Sequence, residues 1–482
     1  MMPQEKPTAL MPQDASASAA GEDLWSAELE QAHRDLSELD LRFRRYAMRT
    51  PDLLRGVSKY ENMSDRAQVW PTFIGPAKLA ELKRASLAAR NLLCSIPGRF
   101  YRFDPARAAA LYQVPSASEL ELLLSPPNGS ETFASRGDFI NTPQGFKCIE
   151  FNFTANVGGW EGAVLAEHLR GLPALASFLA EQPETLTFTD PIVRFFQHIL
   201  DTAGAEVPAG GALNVAFVMT RLGDDELTTG SGFELTGRAL QAAAATGAGA
   251  GFSISVRFCH YEDLSVQQDR VYFGEIRIHA IVELDTTGSP PAIYRAFKRG
   301  GVVLFDGPLA PIVNTKLNLA LAWELAAAWL LEDDEERALA EVFPWTRRVV
   351  PGNVSFRGEQ VAFAELLARR REHLVLKREG SFGGKDVWLG GDTAAADWES
   401  LSRHALAEGT WVAQELVAFV PYLFQCGEQG CDVHDVIWGP FYFGQSYGGT
   451  ILRMQPRALG GPVNLCRVAT EGIIFDVRGE GR

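Results

Sequence analysis

The alternation of apolar and polar positions singles out one stretch. From Ser135 to Asn152 the chain reads as two short strands around Thr142-Pro143-Gln144-Gly145. That tetrad suits a three-residue hairpin loop, because Pro143 presets φ at the first corner and Gly145 tolerates the left-handed position that closes the turn. Such a loop pairs Thr142 with Phe146, Asp138 with Glu150 and Arg136 with Asn152. Side chains alternate along a strand. Arg136, Asp138, Glu150 and Asn152 therefore share one face, followed by Ile140. Gly137, Phe139, Ile149 and Phe151 take the opposite face, against a core.

Apolar residues at a spacing of three to four predict helices over 23–48, 76–93, 161–172, 190–202, 233–246, 317–331 and 398–407. Residues 95–133 are mixed. Strands are expected over 213–219, 252–258, 270–273, 276–283 and 293–295, and with the intervening helix they suggest an α/β unit with a parallel sheet. No G-x-G-x-x-G occurs there, so no dinucleotide site is expected. Gly223-Asp224-Asp225-Glu226 reads as a loop, solvated or facing a substrate. Further on, 373–377 is a strand, 378–386 is glycine-rich, and 387–389 returns as a strand. Strand, glycine loop, strand makes a flap whose backbone N–H groups can fold over phosphates. It is not a Walker loop, since Lys385 is followed by Asp386 and a strand. Lys316 falls in the first turn of the 317–331 helix, capped by Asn314 or Thr315. The helix dipole disfavours a lysine there, so it is either a surface lysine or a partner for phosphate.

Two carboxylates and an amide oxygen about 5 Å apart across a strand pair repel one another if left bare. They make sense around a hard cation such as Mg²⁺, which takes oxygen ligands and completes its shell with phosphate and water. Arg136 beside them is a fixed cationic fork for a phosphoryl group. By spacing alone, a hairpin of ordinary solvated charges is the other reading.

Composition narrows the rest. The 482 residues suggest about three structural units. A net charge of −15 argues against nucleic acid or an anionic membrane as main partner. Six cysteines in this length make no disulfide scaffold. Cys426, Cys431 and His434 offer three zinc ligands at a spacing that matches no common site. Residues 1–21 predict a disordered tail without signal-peptide character, and no apolar run spans a membrane. The expected location is cytoplasmic.

Arg136-x-Asp138 followed by Glu150-x-Asn152 resembles the metal-binding hairpin of ATP-grasp ligases. Its place in the first third of the chain resembles the circularly permuted branch, which includes the synthetase domain of glutathionylspermidine synthase. The resemblance covers about residues 60–475, including an opening segment at Val69–Ile74 and the proline-containing link at 343–348. It implies an α/β, circularly permuted ATP-grasp fold with a Rossmann-like pre-grasp domain. The implied divisions are the tail 1–21, N-terminal helices with the metal-binding part at 22–175, the pre-grasp domain at 176–312 and the nucleotide-binding subdomains at 313–482. It implies Mg²⁺ on Asp138, Glu150 and Asn152, and ATP held by Lys316, Lys377, the flap residues Ser381, Gly383 and Gly384, and a hinge at Gln414, Glu415, Leu416 and Val417. Arg136, with Arg453 and Arg467 from two late strands at 449–453 and 464–467, would serve catalysis. The implied activity joins a small-molecule or peptide carboxylate to an amine through an acyl phosphate. A nucleotide-binding regulator and a phosphotransferase are the rival classes; the eight scattered histidines speak against the latter. Many relatives carry an acid that grips the ribose where this chain has Phe419-Val420-Pro421. The oligomeric state is open, a homodimer being one option.

Overall fold

Both ends of the chain build the largest sheet. In the computed structural model the described residues are 25–49, 67–124, 134–155, 157–160, 162–182, 184–208, 210–219, 230–284, 290–307, 309–381, 384–426, 430–465 and 468–478. The expected tail 1–21 and the loop Gly223–Glu226 lie outside them. Strand numbers follow the chain. β1 (Thr72–Ile74), β2 (Ala134–Thr142), β3 (Gly145–Asn152) and β4 (Thr185–Thr187) join β18 (Tyr422–Cys426), β19 (Gly430–Phe443), β20 (Ser446–Pro456) and β21 (Thr470–Arg478) in eight strands. Their order is β1-β21-β20-β19-β2-β3, with β18 beside β19 and β4 beside β21. The helix Pro76–Phe103 packs Leu82, Ala89, Ile96 and Phe100 into the core that this sheet shares with Phe73, Phe139, Leu452 and Phe475.

β5 (Ala212–Met219), β6 (Ser253–His260), β10 (Ala280–Glu283) and β11 (Val303–Phe305) form a second sheet in the order β11-β10-β5-β6, parallel throughout as the pattern predicts. β7 (Leu264–Gln267), β8 (Arg270–Phe273) and β9 (Ile276–Ile278) make a small meander. The expected 276–283 strand is thus two strands in two sheets. A third sheet carries the flap: β12 (Thr346–Arg348), β17 (Trp411–Glu415), β15 (Leu374–Arg378) and β16 (Val387–Leu389), in that order. β13 (Asn353–Phe356) and β14 (Glu359–Ala362) pair beside it. The protein is mixed α/β.

Several expectations are corrected. The 23–48 helix is two, Ala27–Leu36 and Glu38–Arg49, because Ser37 is extended and its Oγ donates to the Phe73 carbonyl (2.6 Å). The 76–93 helix runs on to Phe103, and two more helices, Pro105–Leu111 and Ala117–Leu124, occupy the mixed stretch. The 293–295 strand is a helix, Pro291–Lys298: Pro291 starts it, and Ile293, Ala296 and Phe297 bury one stripe at helical spacing. The 317–331 helix spans Leu317–Ala327, with Trp329 beyond it at φ 59°. Residues 464–465 lie in a turn, not a strand. Gly460 and Gly461 have positive φ, Pro462 has no N–H for a ladder, and β21 pairs with β20 instead.

Among the N-terminal helices lies a fully buried polar group. Asp40 Oδ2 meets His33 Nδ1 (2.7 Å); its Oδ1 accepts from Arg44 (3.1 Å) and from the Phe73 N–H (2.8 Å). The Leu423 N–H donates to His33 Nε2 (2.9 Å), and Arg44 lies over Phe424. This network ties the helices to β1 and β18.

Candidate functional site

The hairpin is tighter than the sequence predicts. Thr142 pairs with Gly145, not Phe146, leaving a two-residue loop. A bulge between Asp138 and Phe139 then restores the expected pairs Asp138–Glu150 and Arg136–Asn152. The extra residue is Ile149, so it leaves the core face expected for it and lines a cavity instead, packed with Ile437 and Val463. Bulges re-aim groups beside functional sites, and this one presents the Ile149 carbonyl to Lys377 Nζ at 2.8 Å.

The cavity, about 310 Å³, lies between the eight-stranded sheet and the flap sheet. Arg136, Asp138, Glu150, Asn152, Lys377, Gly384, Gln414, Glu415, Leu416, Val417 and Arg453 all line it. Lys316 reaches the same group: its Nζ lies 3.1 Å from Glu150 Oε1 and donates to the Ser381 carbonyl (2.6 Å). Gly383 and Arg467 lie outside the described residues. Lys316 stands at the N-cap of its helix rather than in the first turn. The Leu317 N–H is capped by Thr315 Oγ1 (3.2 Å) and Glu379 Oε2 (2.9 Å), while Asn314 Oδ1 accepts from the Phe153 N–H.

The charges interlock. Asp138 pairs with Arg453 and lies 3.6 Å from Arg136 Nε; Arg136 also donates to the Gly158 carbonyl. Burial alone would raise the Asp138 carboxyl, but Arg453 and then Arg136 outweigh it and hold it below the usual value. Gly439 lets Arg136 cross β19, since a Cβ there would stand 3.2 Å from Arg136 Cδ. Lys377 donates to Gln414 Oε1 (2.8 Å), whose Nε2 donates to Thr346 Oγ1 (3.1 Å). Burial brings the Lys377 ammonium down to about 8, against the opposing pull of Glu150. Two hinge donors are already engaged: the Glu415 N–H on the Trp345 carbonyl and the Leu416 N–H on the His373 carbonyl, both 2.8 Å.

Apart from Phe419, sequence reasoning missed the other wall. Phe419, Pro462, Val463, Asn464 and Leu465 line the cavity opposite the flap. Gly384, at φ 67°, permits the approach, because a side chain there would run into Asn464. The only signal in the sequence was the Gly460-Gly461-Pro462 run that takes the chain out of strand geometry. Glu471, also missed, sits across from Arg453 on β21.

Whether these residues suit a nucleotide and a cation can be judged from their own chemistry. Arg136 Nε and Arg453 Nε are buried without a hydrogen-bond partner in good geometry. Such atoms are costly unless a ligand meets them. No group of three His, Cys, Asp or Glu among the described residues is poised to hold a metal. Two carboxylates and one amide line the same cavity, a donor set whose chemistry suits Mg²⁺ sharing its remaining positions with phosphate and water. The zinc reading fails: Cys426 pairs with Gly430 and Cys431 with Gln425, so the two thiols point to opposite faces of the hairpin.

A mixed α/β protein with a cleft between two sheets, lined by cations and carboxylates, is what the structure defines. No protein-family model matches the chain, and no curated protein matches it. Its fold is similar to that of a glutathione synthetase-like effector of Globodera pallida, solved in apo form, with a TM-score of 0.55 at 10% identity over 91% of this chain and 98% of that one. A candidate gamma-glutamylcysteine synthetase of Methylobacillus flagellatus aligns over 81% of this chain and 87% of its own at 11% identity. Its TM-score of 0.37 supports no comparison of detail. The first likeness concerns fold alone. No described helix is long and apolar enough to cross a membrane.

Proposed function

We propose that the chain is an ATP-dependent carboxylate–amine ligase built on a circularly permuted ATP-grasp fold. One observation carries the reading. Lys377 reaches the β3 hairpin across 228 residues of sequence, and the cavity at that contact is lined by Arg136, Asp138, Glu150, Asn152 and Arg453. Asp138, Glu150 and Asn152 would hold Mg²⁺, which neutralises phosphate charge when bound. Lys377, Lys316 and the flap would hold the triphosphate, with the base against Ile149, Val375, Ile437 and the Glu415–Val417 hinge.

A substrate carboxylate oxygen attacks the γ-phosphorus of ATP as the bond to the β,γ-bridging oxygen breaks, releasing ADP. Arg136 and Arg453 steady the transferring group and then the tetrahedral oxyanion. The amine nitrogen attacks the acyl carbon, loses a proton, and expels phosphate to leave an amide. Positioning and charge stabilisation carry the rate, and flap closure keeps water from the acyl phosphate.

The test is ADP release from ATP that depends on both a carboxylate and an amine, screened over mixed amino acids and peptides. ATP binding without any amine-dependent ADP release would favour the second reading, a nucleotide-binding regulator. Phe419, which lines the cavity where the ATP-grasp resemblance implies a ribose-gripping acid, is the observation that favours that reading.

Arg136→Ala should lower kcat by about 10²–10³-fold, the usual effect of removing one preorganised charge donor, with a much smaller effect on nucleotide affinity. An unchanged kcat in steady-state kinetics removes it from the chemistry. Lys377 gives a pH dependence. With its free-enzyme value at about 8, the protonated form that attracts phosphate is lost as pH rises through 8. Nucleotide affinity should therefore fall above pH 8, by up to about tenfold per unit. Titration calorimetry from pH 7 to 9.5 checks it, and a flat profile in the wild type contradicts it.

A further inference from the structure

We propose that Glu471 is a positioning residue of this site, holding Arg136 and Arg453 so that Asp138 can exchange them for a divalent cation. This rests on the ligase reading and deepens it.

The difficulty begins with Asp138. Its carboxylate pairs with Arg453 and stands beside Arg136; Asp138 and Arg136 are buried, and the Arg453 side chain is 11% exposed. A carboxylate so engaged has to give up its arginines before it can take a metal. Two guanidiniums left together without an anion would repel one another in a site with little water to screen them.

Glu471 supplies the alternative anion. It is the register partner of Arg453 on the neighbouring strand, so the two Cβ atoms lie on the same face about 4.5–5.5 Å apart. It is buried, and its charge acts on Arg453 and on Arg136. Its backbone is pinned from behind: the Glu471 carbonyl accepts from the Gln68 N–H (2.6 Å), next to a parallel bridge with Ala67. Gly439 leaves the room through which Arg136 crosses toward this end of the sheet. Glu471 does not line the cavity, and it stands behind the arginines rather than against a ligand. With Arg136, Arg453, Lys316 and Lys377 against Asp138, Glu150 and Glu471, the cluster keeps one net positive charge, which suits an anionic nucleotide.

The charge-neutral variant Glu471→Gln makes Asp138 the nearest remaining carboxylate for both arginines and adds a positive charge to the site. Both effects oppose a cation and favour an anion. Calorimetry with the non-hydrolysable analogue adenylyl imidodiphosphate separates them. Expected for Glu471→Gln is a Mg²⁺ dissociation constant raised about 10–100-fold, the usual size for a residue that supports metal ligands. Affinity for the analogue without Mg²⁺ should be equal or higher. Glu471→Asp should fall between the variant and the wild type, and carries the test if Glu471→Gln does not fold. A Mg²⁺ affinity unchanged in both variants overturns the proposal. So does an equal loss of Mg²⁺-free and Mg²⁺-dependent binding, which marks a purely structural role. Asp138→Asn separates the underlying reading: if it binds Mg²⁺ with the analogue as the wild type does, Asp138 is no metal ligand and the ligase site itself fails.

Discussion

Glu150→Gln should reduce ADP formation by about a thousandfold or more while the protein stays folded. The two side chains have nearly the same shape, so the hairpin register and the bulge at Ile149 have no reason to change. What changes is charge. Glu150 meets Lys316 at 3.1 Å, opposes the burial of Lys377, and with Asp138 and Asn152 makes the oxygen set proposed for the cation. A neutral amide would leave Lys316 and Lys377 facing each other with less compensation and would remove one anionic ligand. ADP release measured beside thermal unfolding decides the matter. Turnover like the wild type, in a variant with an unchanged melting profile, would sink the metal assignment.

The largest effect on stability should come from Asp40→Ala. His33, Asp40 and Arg44 are each 0% exposed. Removing the carboxylate strands the His33 Nδ1–H and the Phe73 N–H and leaves the buried Arg44 charge unpaired, with only the Pro71 carbonyl and Thr72 Oγ1 to accept from it. Breaking a buried ion pair by deleting one partner costs about 3–5 kcal/mol. Urea unfolding followed by tryptophan fluorescence checks it, and a midpoint unmoved from the wild type refutes it. The same network sets a pH trend. Burial lowers the pKa of His33, and Asp40 is also lowered, since Arg44 and His33 outweigh the effect of its burial. Groups with depressed native values bind more protons unfolded than folded, so the stability they contribute is present above their unfolded values and is lost on acidification. Stability should therefore decline as pH falls below about 6.5, where unfolded histidine begins to protonate, and decline again near pH 4.

How much of this could be read beforehand depended on the range of the forces involved. A hairpin around Pro143-Gln144 that carries Asp138 and Glu150 was readable because strand alternation and turn residues are local. Its loop is one residue shorter than read, and the pairing of the two acids holds only through the bulge. The bulge that rescues that pairing was not readable, since it answers to Lys377 arriving from the flap and to Ile437 and Val463 packing on Ile149. The parallel sheet was visible in its apolar runs. The 293–295 segment was misread because three residues show no period, whereas eight show the buried stripe of Ile293, Ala296 and Phe297. Lys377, which lines the cavity, was singled out through the glycine loop that follows it. Glu471 and Asn464 had no comparable flag: one acid in a β-strand and one amide after a Gly-Gly-Pro run acquire meaning only from what lies opposite. The capping of the 317–327 helix by Glu379 has the same origin, a partner 62 residues away.

The eight-stranded sheet also dictates a timetable for synthesis. β2 and β3 emerge early, yet β19, the neighbour of β2, begins only at Gly430. At about 5–20 residues per second, a ribosome takes on the order of half a minute to deliver it. For that interval the hairpin that carries Asp138 and Glu150 offers an unpaired edge to every passing chain, and its carboxylates face no arginine from β20. Nascent protein should therefore depend on chaperones from the completion of β3 until β19 is made, and the site should come into being only when β19 and β20 close over the early hairpin.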